Sequence, residues 1–211
     1  MSDPAVDRVL RFDNARGVLM ILVIWGHLIE LAAFSDDTAA AAYAAIYLFH
    51  IPAFAMVSGM FAKASLTVAA CIRVGRTLIL PLVVFQLLYW PFLSALAPAR
   101  LGGLLTPHWI LWFLLSLASW RLLLPFFARL SPATSLALAV AVAIAAGFGQ
   151  GIDHTLSLSR TVFFFPAYLV GYWVAHGTDP APKAAPALHA LIFVGLAGAA
   201  AASGFAGWDF A

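Results

Sequence analysis

The stretch RGVLMILVIWGH carries a chemically capable side chain at each end, Arg16 and His27, with ten uncharged and mostly apolar residues between them. On a helix, eleven steps of about 100° fall within about 20° of whole turns, so the two side chains share a face about 16 Å apart. That distance is about half the thickness of a membrane's hydrocarbon layer, which puts Arg16 at the inner boundary and His27 near the midplane. Asp13 precedes Arg16 by three residues and can pair with it across one turn. Glu30 follows His27 by three and lies one turn further out, on a neighbouring face. The next apolar run goes the opposite way, and His50 lies about ten residues, or about 15 Å, in from its outer end. Two histidines are thus expected at similar depth. Ionisable side chains in apolar spans are costly and usually face a cavity or pathway, although histidine also makes packing hydrogen bonds between helices. Arg16, His27, Glu30 and His50 taken together favour a functional cavity.

The elements that must position these residues follow from composition. Hydrophobic residues make up 64% of the 211 residues and charged ones only 9%, with a mean hydropathy of +0.99. So little polar surface excludes an ordinary soluble domain and implies an all-α, polytopic transmembrane helical bundle. Seven candidate spans lie near 15–34, 40–61, 77–97, 107–127, 133–149, 160–176 and 187–205, divided by polar or Pro/Gly breaks. Trp109, Trp112, Tyr172 and Trp173 fall near span ends, as interfacial aromatics do. Under this scheme Arg8, Arg11, Arg16, Lys63, Arg73, Arg76, Arg121, Arg129 and Lys183 share the amino-terminal side, against only Arg100 and Arg160 opposite. The bias predicts a cytoplasmic amino terminus in a bacterial-type inner membrane. The first run carries Arg16, His27 and Glu30, so it reads as a retained span rather than a cleaved leader. Cys71 is the single cysteine, which excludes an internal disulfide, and it is expected in a cytoplasmic loop. The chain reads as one membrane domain over 1–211.

RFDNARGVLMILVIWGH resembles the opening of the acyltransferase 3 family of integral membrane acyltransferases, whose signature is an arginine and a histidine separated by ten residues on the first helix. FHIPAFAMVSG at 49–59 resembles that family's second helix, and RVGR at 73–76 followed by LILP its cytoplasmic arginine pair ahead of the third. HWILWFLLSL and SRTVFFFPAYLVGYW resemble later helices of the branch similar to fucose 4-O-acetylases. The family usually has more spans than the seven counted here, so the last helices are expected to be missing after GWDFA.

The resemblance implies an acyl-CoA-dependent O-acyltransferase, moving an acyl group, commonly acetyl, from cytoplasmic acyl-CoA to a hydroxyl of a sugar, glycan or lipid-linked glycan. A sugar hydroxyl attacks a thioester poorly until a base removes its proton. His27 fits that role, with Glu30 orienting it or balancing its charge, and His50 as a further polar contact or the base itself. Arg16, Arg73 and Arg76 would hold the CoA phosphates through their planar forks, although arginines at cytoplasmic helix ends are expected on topology alone. Arg160 would hold the acceptor or pair with Asp153, or act as an interfacial anchor. His108, His154, His176 and His189 sit at predicted ends or loops and read as surface residues. Gly195, Gly198, Ala199 and Ala202 read as close helix packing, as do Ser58 and Gly59.

No tightly bound cofactor is expected beyond acyl-CoA as co-substrate, and nothing requires a metal. Nucleic acid is not an expected partner; the lipid bilayer is, and association with another chain stays open. The sequence contains no HExxH, no Gly-rich phosphate loop with a lysine, and no histidine followed five residues later by aspartate. Two alternatives stand beside the enzyme. One is a proton-coupled transporter using His27, Glu30 and His50 as a relay, though no internal repeat is evident. The other is a non-catalytic membrane partner.

Overall fold

The computed structural model describes residues 4–30, 36–96, 105–148 and 155–177, and among these every regular element is helical. The helices are α1 (Pro4–Ile29), α2 (Asp37–Met60), α3 (Val68–Val74), α4 (Leu80–Leu96), α5 (Leu111–Phe127), α6 (Pro132–Phe148) and α7 (Leu158–His176). A π-helical turn, Gly75–Ile79, joins α3 to α4 without a break. The fold class is all-α, as expected. The seventh apolar run at 187–205, together with Asp153, His154 and His189, lies outside the described residues.

Local chemistry explains several boundaries. Asp36 caps α2 by accepting from the Ala39 backbone N–H at 2.7 Å, and Thr67 caps α3 through Ala70 at 3.1 Å. The sequence placed RVGR and Cys71 in a loop ahead of a span starting near 77. The structure corrects this: the helix begins at Val68, so Arg73, Arg76 and an exposed Cys71 all lie within it. Apolar content marks where a helix is buried or lipid-facing, not where its hydrogen bonding begins. Pro52, Pro91, Pro125 and Pro166 lie inside helices, where each removes one backbone donor and leaves a carbonyl to find another partner.

Two stretches, Thr38–Met60 and the continuous Val68–Leu96, are long and apolar enough to cross a membrane. Their hydrophobic windows are only 18% and 11% buried within the fold, whereas the core helix of a soluble protein would be mostly covered. Val83, Val84, Phe85, Leu87 and Leu88 all face outward on α4, a surface that suits lipid and not water.

α7 is the hub, packing most extensively on α2 and also on α6 and α5, while α1 lies chiefly on α2. The α2–α7 crossing is very close. A Cβ on Gly59 would run into the Tyr168 carbonyl, and one on Gly171 into the Met56 carbonyl. Small residues let helix backbones approach in this way. Gly171→Leu should therefore force the helices apart and cost about 1–3 kcal/mol, the usual penalty of overpacking; a lowered thermal midpoint in detergent would show it. Buried polar bonds tie the other contacts. The Trp120 indole donates to the Thr161 carbonyl at 2.7 Å, and Ser116 and Thr161 share a hydroxyl bond of 2.7 Å. Trp173 donates to the buried Ser135 at 3.3 Å.

Candidate active site

His27 lies in the last turn of α1, facing α2. Three groups converge on its Nδ1: Glu30 Oε2 at 3.1 Å, Tyr47 Oη at 3.1 Å and the Trp109 indole nitrogen at 3.3 Å. Its Nε2 has no hydrogen-bond partner among the described residues. The helical offset between His27 and Glu30 does not keep them apart, since both side chains bend toward one another across a single turn. Gly26 makes room for the arrangement: a Cβ there would stand 3.2 Å from the Tyr47 ring.

His50 joins the same cluster through Tyr47, whose ring lies edge-on to both histidines, with centroids 5.9 Å from His27 and 4.8 Å from His50. His50 is 3% exposed, and its Nδ1 lies 2.6 Å from the Ile46 carbonyl. A carbonyl only accepts, so Nδ1 carries the proton and Nε2 carries the lone pair. The two histidines, expected at similar depth, thus flank the same tyrosine ring. Tyr43 stacks on Tyr47 with centroids 4.1 Å apart. Tyr43, Tyr47 and His50 repeat at helical spacing in YAAIYLFH, a one-faced pattern that could have marked the tyrosines in the sequence.

Arg160, in the first turn of α7, sits over the Trp112 ring at 5.2 Å. A guanidinium over an indole face is a favourable cation–π pairing. The backbone just before it is unusual: Leu156 and Ser157 both have left-handed φ values, 52° and 53°. Trp109 shares this conformation at 48°. Non-glycine residues held so cost energy and concentrate at functional sites. Leu156 N donates to the Leu105 carbonyl at 2.9 Å, fastening the two strained segments together.

Arg16 occupies the opposite part of α1. It pairs with Asp13 at 3.2 Å, as the spacing predicted, and its guanidinium lies 4.1 Å from the centre of the Phe61 ring, just past the end of α2. Arg16 contacts Phe61 just past α2 and His27 contacts Tyr47 within it, as two residues on one face of α1 would. Arg73 and Arg76 are exposed, and among the described residues no hydrogen bond or ion pair joins their side chains to Arg16. The π turn begins directly after Val74 and includes Arg76; such turns are frequent at functional sites. His108, read from sequence as a surface residue, is 6% exposed, because the segment before α5 folds inward against α4. Among the described residues no group of three or more His, Cys, Asp or Glu side chains could hold a metal ion.

The described residues thus hold a histidine between a carboxylate, a phenol and an indole. The family model Acyl_transf_3, an acyltransferase domain, matches residues 9–211, and the chain belongs to that family. It is also 36% identical over 90 residues to nodulation protein NolL of Sinorhizobium fredii (strain NBRC 101917 / NGR234), covering 41% of this chain and 24% of that protein. With NolL of Mesorhizobium japonicum (strain LMG 29417 / CECT 9101 / MAFF 303099) it is 32% identical over 96 residues, 42% of this chain and 26% of the relative. The matches thus span about a quarter of the length of these curated relatives. No solved structure matches the chain.

Proposed function

We propose that this acyltransferase is a multi-pass membrane enzyme, its amino terminus in the cytoplasm, that transfers an acyl group, acetyl in the first instance, from acyl-CoA to a hydroxyl of a sugar or glycan. The observation that carries the reading is the His27–Glu30 pair at 3.1 Å with the opposite ring nitrogen unengaged among the described residues. With its Nδ1–H donated to the Glu30 carboxylate, His27 presents a bare Nε2 to the acceptor.

The hydroxyl oxygen attacks the thioester carbonyl while Nε2 takes the hydroxyl proton. The imidazolium so formed is balanced by Glu30. The tetrahedral intermediate then collapses, breaking the C–S bond, and the departing CoA sulfur takes the proton back from His27. An ester and a free thiol result, with no oxidant or metal consumed. Arg160, over the Trp112 ring, would engage polar groups of the acceptor or the oxyanion. Arg16, Arg73 and Arg76 suit the CoA phosphates. The tyrosines and the exposed Trp109 supply flat faces suited to a sugar ring.

Membranes containing the chain should transfer radiolabelled acetyl from acetyl-CoA to a glycan or lipid fraction as an alkali-labile ester, and membranes lacking it should not. If labelled acetyl stayed in the donor while a proton gradient drove solute uptake, the transporter reading would replace this one. Glu30→Gln should lower kcat about tenfold or more with little change in KM, because a neutral amide cannot balance the imidazolium. Steady-state kinetics with both substrates varied would measure it.

A further inference from the structure

The side chain of Gln86, on α4, spans the turn before α5. Its Nε2 donates to the Thr106 carbonyl at 2.9 Å, and its Oε1 accepts from the His108 backbone N–H at 3.0 Å. The two bonds fix the amide's orientation, since a flipped amide would set donor against donor and acceptor against acceptor. The clamp ends immediately before Trp109, which takes its left-handed φ of 48° there. Holding a non-glycine residue in that region costs about 1–3 kcal/mol, so the surroundings must enforce it. Burial does not, because Trp109 is 58% exposed. Yet its indole N–H reaches His27 Nδ1 at 3.3 Å, with the rings 4.9 Å apart at 69°.

We infer that Gln86 is a positioning residue: by clamping the 106–108 turn it holds the Trp109 indole on His27. The inference rests on the acyl-transfer reading only for its effect on rate. The consequence for His27 is chemical. An indole N–H only donates and a carboxylate only accepts, so Trp109 and Glu30 demand opposite protonation of the same Nδ1. Tyr47 can serve with either. Trp109 therefore sets how readily Nδ1–H turns to Glu30 and leaves Nε2 bare. The titratable groups beside His27 are Glu30 next to its own helix and Tyr47 and His50 on α2, with Tyr43 beyond Tyr47.

The test uses fluorescence, because a protonated imidazole in contact with an indole quenches it. The emission of the purified full chain minus that of Trp109→Phe isolates Trp109, and its quenching on acidification should disappear in His27→Gln. Gln86→Leu should lose this His27-dependent quenching, while Gln86→Glu, which keeps the bond from His108 N and loses the one to Thr106, should lose part of it. In the acetyl-transfer assay Gln86→Leu should raise kcat about two- to tenfold, the worth of one hydrogen bond, without changing KM for acetyl-CoA, because the indole no longer competes with Glu30 for Nδ1. Should Gln86→Leu fail to fold, Gln86→Glu carries the same comparison. Wild-type quenching retained in the folded Gln86 variants, or no His27-dependent quenching of Trp109 at all, would overturn the inference. Quenching lost as expected in a chain that transfers no acetyl would keep it and overturn the acyl-transfer reading instead.

Discussion

His27→Gln is expected to lower the transfer rate about 10²–10⁴-fold, the range a positioned general base contributes. Glutamine matches the imidazole in reach and polarity but cannot take up a proton, so the substitution removes the chemistry and leaves most of the packing. Tyr47 and Trp109 would still find a polar partner there, and Gly26 would still admit the Tyr47 ring. Fold and donor binding should therefore survive. His50→Gln should cost less. The His50 Nδ1–H is committed to the Ile46 carbonyl, and no carboxylate stands beside it among the described residues to balance an imidazolium. Comparing kcat for both variants at saturating acetyl-CoA ranks the two candidates.

Arg16→Ala should act on binding and not on chemistry. The guanidinium is partly exposed, held by Asp13 and the Phe61 ring, and distant along α1 from His27. Loss of a hydrogen-bonded charge pair with a CoA phosphate costs about 1.5–3 kcal/mol, or roughly 10–100-fold in KM for acetyl-CoA. Lysine keeps the charge but not the fork, so Arg16→Lys should fall between the two. A fall in kcat with unchanged KM would instead place Arg16 in the chemical step.

The elements that carry these residues were largely legible in the sequence. Six of the seven apolar runs coincide with described helices, because each needs a continuous apolar length and the breaks between them are polar or Pro/Gly-rich. The Asp13–Arg16 pair and the shared face of Arg16 and His27 followed from helical spacing alone. What stayed hidden depends on contacts distant in sequence. His108 is buried because Gln86, 22 residues earlier, holds its backbone. Trp109 read as an interfacial aromatic, and nothing local announces its left-handed backbone or its reach to a histidine 82 residues away. The π turn was equally silent, since apolar periodicity does not resolve one added residue in a turn. Tyr47 lay between these cases: its spacing from Tyr43 and His50 was visible, but the side chain opposite it was not.

The central claim is that His27 accepts the hydroxyl proton during acyl transfer. Its most direct test measures two quantities on one preparation of wild type and His27→Gln: binding of acetyl-CoA, and transfer of the labelled acetyl to a glycan or lipid hydroxyl. Donor binding should be equal and transfer should fall by about 10²–10⁴-fold in the variant. Transfer at the wild-type rate by a folded His27→Gln chain would contradict it.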